Sequence, residues 1–242
     1  MAGHRDFIEQ LENFRHEAEA VAQYVYADMS VQHAASLSRK VLSRLNRTPG
    51  FWLVHSAACQ VAAYVAIGRV FDKTSKYNID ALLNTFESNQ AIFSKVALGA
   101  RKSAEHPSPP PWVSNYINQA YYPTRSDIRY LKKRVLTYRA IYDRAFKPAR
   151  NKYIAHREKV GHSSASALFS RGKVRELWRL STFLLSLHEA LWQLLNNGRK
   201  PILRTVRYSV KAIYDSANQG SSPHEYIVGQ TKQLVASLQS SA

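Results

Sequence analysis

Apolar residues recur at intervals of three and four in two long segments, and this spacing places them on one face of an α-helix. The first segment runs from Ser126 to about Phe146, with Ser126 predicted as its cap and Asp127 in its first turn. The second runs from Lys173 to about Asn196. The two apolar stripes consist of Ile128, Leu131, Val135, Tyr138 and Tyr142, and of Leu177, Leu180, Leu184, Leu187, Leu191 and Leu194. A half-buried strand would alternate with a period of two, so the pattern predicts an all-α fold.

The N-terminal half of the chain follows the same helical spacing. We predict a helical segment over residues 5 to about 45, with a break near Met29 to Val31. The nearly unbroken apolar run from Phe51 to Phe71 predicts a helix that is buried on most sides. Asn78 and Ser88 are placed to cap two further short helices.

Size and composition indicate a single globular domain. With 242 residues, of which 45% are hydrophobic, the chain can bury a substantial core. The stretch from Arg101 to Trp112 contains a proline-rich run at residues 107–111 and cannot be regular helix. It predicts an exposed loop rather than a domain linker, because helical spacing continues beyond it. The single cysteine, Cys59, excludes an internal disulfide and suits a reducing compartment. No uninterrupted apolar run reaches membrane-span length, so we expect a cytoplasmic protein with no membrane partner.

Positive charge is concentrated in the C-terminal part of the chain. The formal net charge is +17. Residues 1–100 hold ten Lys/Arg and nine Asp/Glu, whereas residues 101–242 hold twenty-four and eight, which gives +1 and +16. This excess favours an acidic partner, with nucleic acid first and an anionic membrane or acidic protein after it. A solvated basic surface that aids solubility is the alternative interpretation.

The segment between the two strongest helices carries residues that suit phosphodiester chemistry. Arg150 offers a planar fork of donors to a phosphate, and His156 titrates near neutral pH and can move a proton. Asn151 could orient either group or a ribose hydroxyl. On spacing alone, a structural role for His156 in the core or at a helix end is the more common outcome.

The text Arg150-Asn151-(four residues)-His156, read as RNKYIAH, resembles the signature of the HEPN superfamily of all-helical ribonucleases and nucleotide-binding proteins. Its Ile-Ala-His ending and the upstream run from Gly68 to Asp72 are similar to the U-type branch found in phage abortive-infection systems. The resemblance implies an antiparallel bundle of four to five core helices over about residues 51–197. Extra helices would then form an N-terminal extension, 1–47, and a basic C-terminal extension, 198–242.

The resemblance also implies an activity, which is metal-independent cleavage of RNA through attack of the 2′-hydroxyl, giving a 2′,3′-cyclic phosphate. Arg150, His156 and Asn151 would be the catalytic residues, and no metal or other cofactor is expected. Arg69 and Asp72, three apart on one helix, would either support this site or form a structural ion pair. The residues expected to contact RNA are Lys152, Arg157, Lys147 and Arg144.

Geometry limits how Arg150 and His156 could act together. Residues six apart on an ideal helix point about 240° apart, so they do not stack on one face. They can meet at one phosphate only if a helix begins between them, if the helix is distorted, or if a second copy of the chain contributes. Pro148 suits the first option, because proline is tolerated in the first turn of a helix.

The expected partners are RNA, a second copy of the chain through the motif face, and an acidic regulatory or antitoxin protein. A non-catalytic module that binds RNA, a nucleotide or a protein is the alternative function, and a regulatory subunit of an immune assembly is a third.

Several tyrosines lie among the basic residues and could stack on unpaired bases, although those on the apolar stripe are expected in the core or at a dimer seam. They are Tyr121, Tyr122, Tyr130, Tyr138, Tyr142 and Tyr153.

Overall fold

A computed structural model describes residues 2–104, 110–155, 172–204, 209–216 and 222–240. Within these ranges the chain forms helices and no β-strand, so the all-α prediction is confirmed. The α-helices longer than a single turn in the described residues are α1 (Ala2–Leu37), α2 (Arg39–Leu45), α3 (Pro49–Phe71), α4 (Ile79–Ser88), α5 (Lys95–Ala104), α6 (Trp112–Asn118), α7 (Arg125–Ala145), α8 (Val174–Asn197), α9 (Val210–Asp215) and α10 (Pro223–Ser240).

The two apolar stripes lie in the core as the sequence predicts. Every stripe residue of α7 and of α8 is buried, with Leu131 and Leu184 both fully inaccessible to solvent. The end of α8 is also as expected, because Gly198 follows Asn197 with φ at +55°. Only glycine adopts that left-handed conformation without a Cβ penalty, so it stops the helix there.

Helix boundaries differ from the sequence prediction in the N-terminal half. α1 continues through Met29 to Val31 without the expected break and ends at Leu37. The interruption comes at Ser38, whose backbone is extended and whose hydroxyl accepts a hydrogen bond from the Val41 N–H at 3.3 Å, capping α2. The boundary is therefore set by this capping bond.

Of the two caps predicted near α4, one is confirmed and the other is wrong. Asn78 caps α4 as expected, because its side-chain oxygen accepts from the N–H groups of Asp80 and Ala81, each at 2.9 Å. Ser88 is instead the last residue of α4, and the next regular helix, α5, begins only at Lys95. A short 3₁₀ turn, Gln90–Phe93, lies between them. α5 continues to Ala104, so the loop predicted from Arg101 is wrong for its first four residues, and residues 105–109 lie outside the described residues.

The cap of α7 is Thr124 rather than Ser126. The Thr124 N–H donates to a carboxylate oxygen of Asp127 at 2.8 Å, and the Asp127 N–H donates back to the Thr124 hydroxyl at 3.4 Å. This reciprocal pair is a capping box, in which a carboxylate three residues along satisfies the N–H group of the cap. Asp127 lies three residues after Thr124, which is the spacing that a capping box requires. It lies only one residue after Ser126, so Ser126 cannot form the same pair of hydrogen bonds.

Helix α3 is less buried than its composition predicts. Phe51, Leu53 and Val54 are 64%, 71% and 69% exposed, whereas Ile67 and Val70 near the other end are fully buried. The predicted burial on most sides is therefore wrong for the first half of the helix. Among the described residues, α3 is also the one helix long and apolar enough to cross a membrane, a test that rests on length and composition alone.

The chain divides into two compact units. The first consists of Met1–His16, Arg69–Ala140 and Phe183–Thr205. Phe93 packs edge-on against Phe7 and Phe86, with ring centroids 5.2 and 4.9 Å apart. Tyr138 stacks face to face on Phe183 at 3.9 Å. Aromatic packing thus joins the start of α1 with α4, and α7 with α8, inside this unit.

The second unit consists of Glu17–Gly68, Ile141–Thr182 and Val206–Ala242. Here the Trp178 indole N–H donates to the Tyr26 hydroxyl at 2.9 Å, and the Ser30 hydroxyl donates to the Thr231 hydroxyl at 2.9 Å. These bonds connect α1 to α8 and α10. The single-domain assignment and the extensions proposed from the sequence stay predictions.

Candidate active site

The segment that carries Arg150 is not a continuous α-helix. α7 ends at Ala145, Phe146 interrupts it, and a short helical turn, Lys147–Ala149, follows with Pro148 in its first positions. The next six residues, Arg150–Ala155, form a π-helix. π-Helical turns are rare and change the directions of successive side chains relative to an α-helix.

This geometry bears on the constraint set by the six-residue spacing. The helical turn Lys147–Ala149 begins before Arg150 and not between Arg150 and His156, so the first intrachain condition is not met in the described part of the motif. The second is met there, because the helix that contains Arg150 is distorted. His156 and Arg157 lie outside the described residues, as does the side chain of Tyr153. The convergence of Arg150 and His156 therefore stays a prediction.

Two residues of α3 contact the segment that contains Phe146 and Arg150. Tyr64 and Gly68 are four apart and share a face of α3, while Phe146 and Arg150 are four apart on the facing segment. Tyr64 packs edge-on against Phe146, with ring centroids 5.0 Å apart, and both are almost completely buried. Arg150 lies over Gly68, since a Cβ at that glycine would be 2.9 Å from the arginine Nε. The aromatic pair anchors the segment, and the glycine leaves room for the arginine.

Arg150 is held through both its aliphatic stem and its guanidinium. A Cβ at Gly68 would be 3.5 Å from both Cγ and Cδ of Arg150, so the stem runs across the helix. Its Nη1 donates to the side-chain oxygen of Asn151 at 2.9 Å. Both residues are half-buried, where a positive charge is screened less than at an open surface. Asn151 thus contacts the guanidinium directly, and its role in the site stays a prediction.

The flanking cations are exposed, and two of them form ion pairs. Arg144 donates to the Glu176 carboxylate at 2.6 Å, and Lys147 lies 3.2 Å from the Asp143 carboxylate. Lys152 is exposed. The Lys147–Asp143 pair is exposed on both sides and contributes little to stability, so Lys147 can exchange its carboxylate partner for a phosphate at small cost. The Glu176 side chain is only 17% exposed, so Arg144 is held more firmly. The contact of these cations with RNA stays a prediction.

Arg69 and Asp72 belong to the first unit. Arg69 is exposed, and the Asp72 carboxylate accepts hydrogen bonds from the Thr74 N–H at 3.1 Å and from the Thr74 hydroxyl at 2.8 Å. These bonds form a turn that closes the C-terminal end of α3. Neither the predicted ion pair nor the predicted supporting role is tested by this arrangement.

Sequence reasoning missed the roles of Tyr64, Gly68 and Phe146. Burial raises the pKa of Tyr64 to about 12, so its phenol is neutral at physiological pH. The sequence does show that Tyr64 lies in an apolar helix, four residues before Gly68, and this spacing places both residues on one helix face. What the sequence does not reveal is that Phe146 and Arg150, some eighty residues later, lie opposite.

The surroundings of the single cysteine do not activate its thiol. Burial raises the pKa of the Cys59 thiol, and the negative charge of Asp28 adds to that shift. The thiol is therefore protonated near neutral pH and a poor nucleophile. Within the described ranges, no three His, Cys, Asp or Glu side chains lie close enough to bind a metal ion together.

An all-α chain with this Arg-Asn motif at a helix break, packed against a preceding apolar helix, has the features of the HEPN class. The chain belongs to the HEPN_AbiU2 family, described as AbiU2, whose sequence profile matches residues 5–218. This match includes the whole motif and extends beyond the 51–197 region on both sides. No curated protein and no solved structure matches the chain significantly. It is thus a HEPN-like protein of the abortive-infection type.

Proposed function

We propose that this protein is a metal-independent RNA endonuclease that acts in phage defence or in a toxin–antitoxin pair. One observation carries the proposal. Arg150, the first residue of the motif, is fixed against Gly68 and Asn151 within a chain whose family match spans the motif. A half-buried, oriented guanidinium suits the stabilisation of a phosphoryl group whose charge grows during reaction.

The chemistry follows from the residue types. Neutral His156 takes the proton from a ribose 2′-hydroxyl, and the oxygen attacks the adjacent phosphorus while Arg150 balances charge on the phosphoryl oxygens. The bond from phosphorus to the 5′-oxygen then breaks. The products are a 2′,3′-cyclic phosphate and a 5′-hydroxyl. DNA lacks the attacking hydroxyl and should survive.

The leaving 5′-oxygen needs a proton from a second group. A symmetric dimer that brings two copies of the motif together would supply it from His156 of the other copy. Lys147, Lys152 and Arg157 would then contact phosphates on either side of the cleaved bond. Dimerisation, RNA contact and an acidic antitoxin partner are parts of this proposal.

Product analysis with an active-site variant tests the proposal. Purified protein, the His156→Ala variant and the exposed-site control His16→Ala are incubated with end-labelled single-stranded RNA in EDTA. We expect cyclic-phosphate ends from the wild type and the control alone. Cleavage that persists in His156→Ala would remove this histidine from the mechanism, and cleavage lost in EDTA would contradict a metal-independent reaction.

Two substitutions of Arg150 test whether its positive charge or its planar guanidinium is needed for cleavage. Arg150→Ala should slow cleavage by about a hundredfold or more, as loss of an oxyanion donor typically does. Arg150→Lys keeps the charge but not the planar fork, so we expect only partial recovery. Arg175→Ala removes an exposed arginine of α8 and serves as the control. Full activity in Arg150→Ala would refute its assigned role.

A non-catalytic RNA-binding module is the second candidate, favoured by the charge of +16 on residues 101–242. It predicts RNA binding with a steep salt dependence and no cleaved product. RNA that stays intact with wild-type protein, while anisotropy measurements detect binding, would select this function instead.

A further inference from the structure

A surface groove in the first unit lies between α4 and α7 and is distinct from the Arg150 segment. Its volume is about 530 Å³, within the range of small-ligand sites. We call it the α4–α7 groove, and the lining residues that define it here are Lys73, Asp80, Asn84, Lys132, Leu136 and Arg139.

Positive charge dominates the lining. Lys73, Lys132 and Arg139 contribute three cations against the single carboxylate of Asp80. Glu87 lies nearby and pairs with Lys132 at 2.5 Å, while Asn84 accepts from the same ammonium group at 3.3 Å. Even with Glu87 included, the groove keeps a net positive charge. An anionic ligand is the chemistry that such a lining favours.

Arg139 is built into the groove rather than mobile on its surface. The residue is 8% exposed, its guanidinium lies 5.9 Å from the centre of the Phe71 ring, and its Nη2 donates to Asp80 at 2.8 Å. Among the described residues, its buried Nε has no hydrogen-bond acceptor. A buried donor without a partner is costly, and it commonly marks a site for a water or a ligand.

Lys73 is a second cation that the groove offers to a ligand. It is exposed and lines the groove. Apolar surface lies beside these cations, since Leu136 also lines the groove and is 61% exposed. Cations next to an apolar surface match a unit that is anionic at one end and flat and apolar at the other.

We propose that the α4–α7 groove binds one nucleotide unit of single-stranded RNA, outside the site of cleavage. Lys73 and Lys132 contact the phosphates, and the base lies against Leu136. Lys132 then exchanges Glu87 for a phosphate oxygen, a small cost for an exposed pair. This inference rests on the proposed function in taking RNA as the ligand.

Two matched double variants test the groove. Lys73→Ala/Lys132→Ala removes two charges from its lining, whereas Lys76→Ala/Lys133→Ala removes two exposed charges from the same segments outside it. Both are made in the full chain carrying His156→Ala, which the proposed mechanism expects to prevent cleavage. The affinity for a fluorescent single-stranded RNA is measured by anisotropy at several salt concentrations, and thermal unfolding checks that both variants fold.

The groove variant should bind RNA about tenfold more weakly than the control, because two phosphate contacts are lost. Its plot of log affinity against log salt should also be shallower by about 1.4, since each contact to a single strand contributes about 0.7. Equal losses in the two variants, or no loss in either, would overturn the proposal. A third result would also overturn it: both variants bind RNA equally, and AMP raises the thermal stability of the control variant but not that of the groove variant. The groove would then bind a free nucleotide and not RNA.

This outcome is separable from that of the cleavage test. If the groove variant binds RNA more weakly than the control and the wild type cleaves no RNA, the groove inference stands and the nuclease proposal is wrong. Cleavage by the wild type together with equal RNA affinities of the two double variants would do the reverse. Absence of RNA binding by the wild type would overturn both.

Discussion

The side chain of Arg150 lies directly over Gly68, so that a Cβ at position 68 would be 2.9 Å from Nε of the arginine. Approaches below 3 Å do not occur between such atoms, and even alanine would displace the guanidinium. The same substitution at Gly50, also in α3, would meet no atom within 4 Å. Two glycines of one helix therefore differ in whether their missing side chain makes room for the proposed catalytic group.

Gly68→Ala should reduce RNA cleavage without unfolding the protein. A displacement of the guanidinium by about 1 Å can lower the rate by about a hundredfold. Alanine is a better helix former than glycine by about 1 kcal/mol, which offsets the local strain, so the melting temperature should change little. Cleavage rates and thermal unfolding, measured on the same preparation, check both expectations.

Gly50→Ala is the control and should cleave RNA at the wild-type rate. If Gly68 acts only through Arg150, Gly68→Ala should have no further effect in an Arg150→Ala background. Independent, additive losses in this double-mutant cycle would show that Gly68 acts by another route.

Periodicity predicts α7 and α8 well because each apolar stripe is a local pattern that burial requires. It could not place Gly68 beside Arg150, since these residues lie 82 positions apart in the sequence and only tertiary packing brings them together. The predicted cap of α7 is wrong because two hydroxyl residues compete there, and Thr124 is selected by its bond to Asp127. Composition likewise predicts burial of α3, although an apolar residue does not reveal whether anything covers it.

Two apolar residues of α3 should respond very differently to truncation. Ile67 is fully buried, and Ile67→Ala should lower the free energy of unfolding by about 2–5 kcal/mol. Leu53 is 71% exposed, and Leu53→Ala should change it by no more than about 0.5 kcal/mol. Urea unfolding measures both. A large loss for Leu53→Ala that depends on protein concentration would mean that a second copy covers this end of α3.

The ion pairs of Asp80 and Glu87 should differ in strength because their cations differ in burial. The Arg139 side chain is 10% exposed and that of Lys132 is 37% exposed. Asp80→Asn leaves a buried guanidinium without its carboxylate and should destabilise by about 1–2 kcal/mol. Glu87→Gln breaks a pair at the surface and should cost less than about 1 kcal/mol. Urea unfolding at low and high salt checks the order, and equal losses would contradict it.

Stability should fall with acidification because of buried histidines. Burial lowers the pKa of His224 below its ordinary value of 6.5, an effect that the nearby Glu225 partly opposes, and burial also lowers the pKa of His188. The unfolded chain therefore binds more protons than the folded one just below that value. The stabilising contribution is complete above about pH 6.5 and is lost as the pH falls through the lowered pKa values.

His224→Gln should make this dependence shallower. The imidazole of His224 is 2% exposed, packs against Tyr26 with ring centroids 5.3 Å apart, and has its Nε2 3.2 Å from the Ser222 hydroxyl. Removing it should lower the slope of unfolding free energy against pH by up to about 1.4 kcal/mol per pH unit, the equivalent of one proton. His16→Gln, at an exposed position, is the control. Urea titrations between about pH 5 and 8 measure the slopes, and parallel curves for His224→Gln and the wild type would show that this histidine does not drive the acid sensitivity.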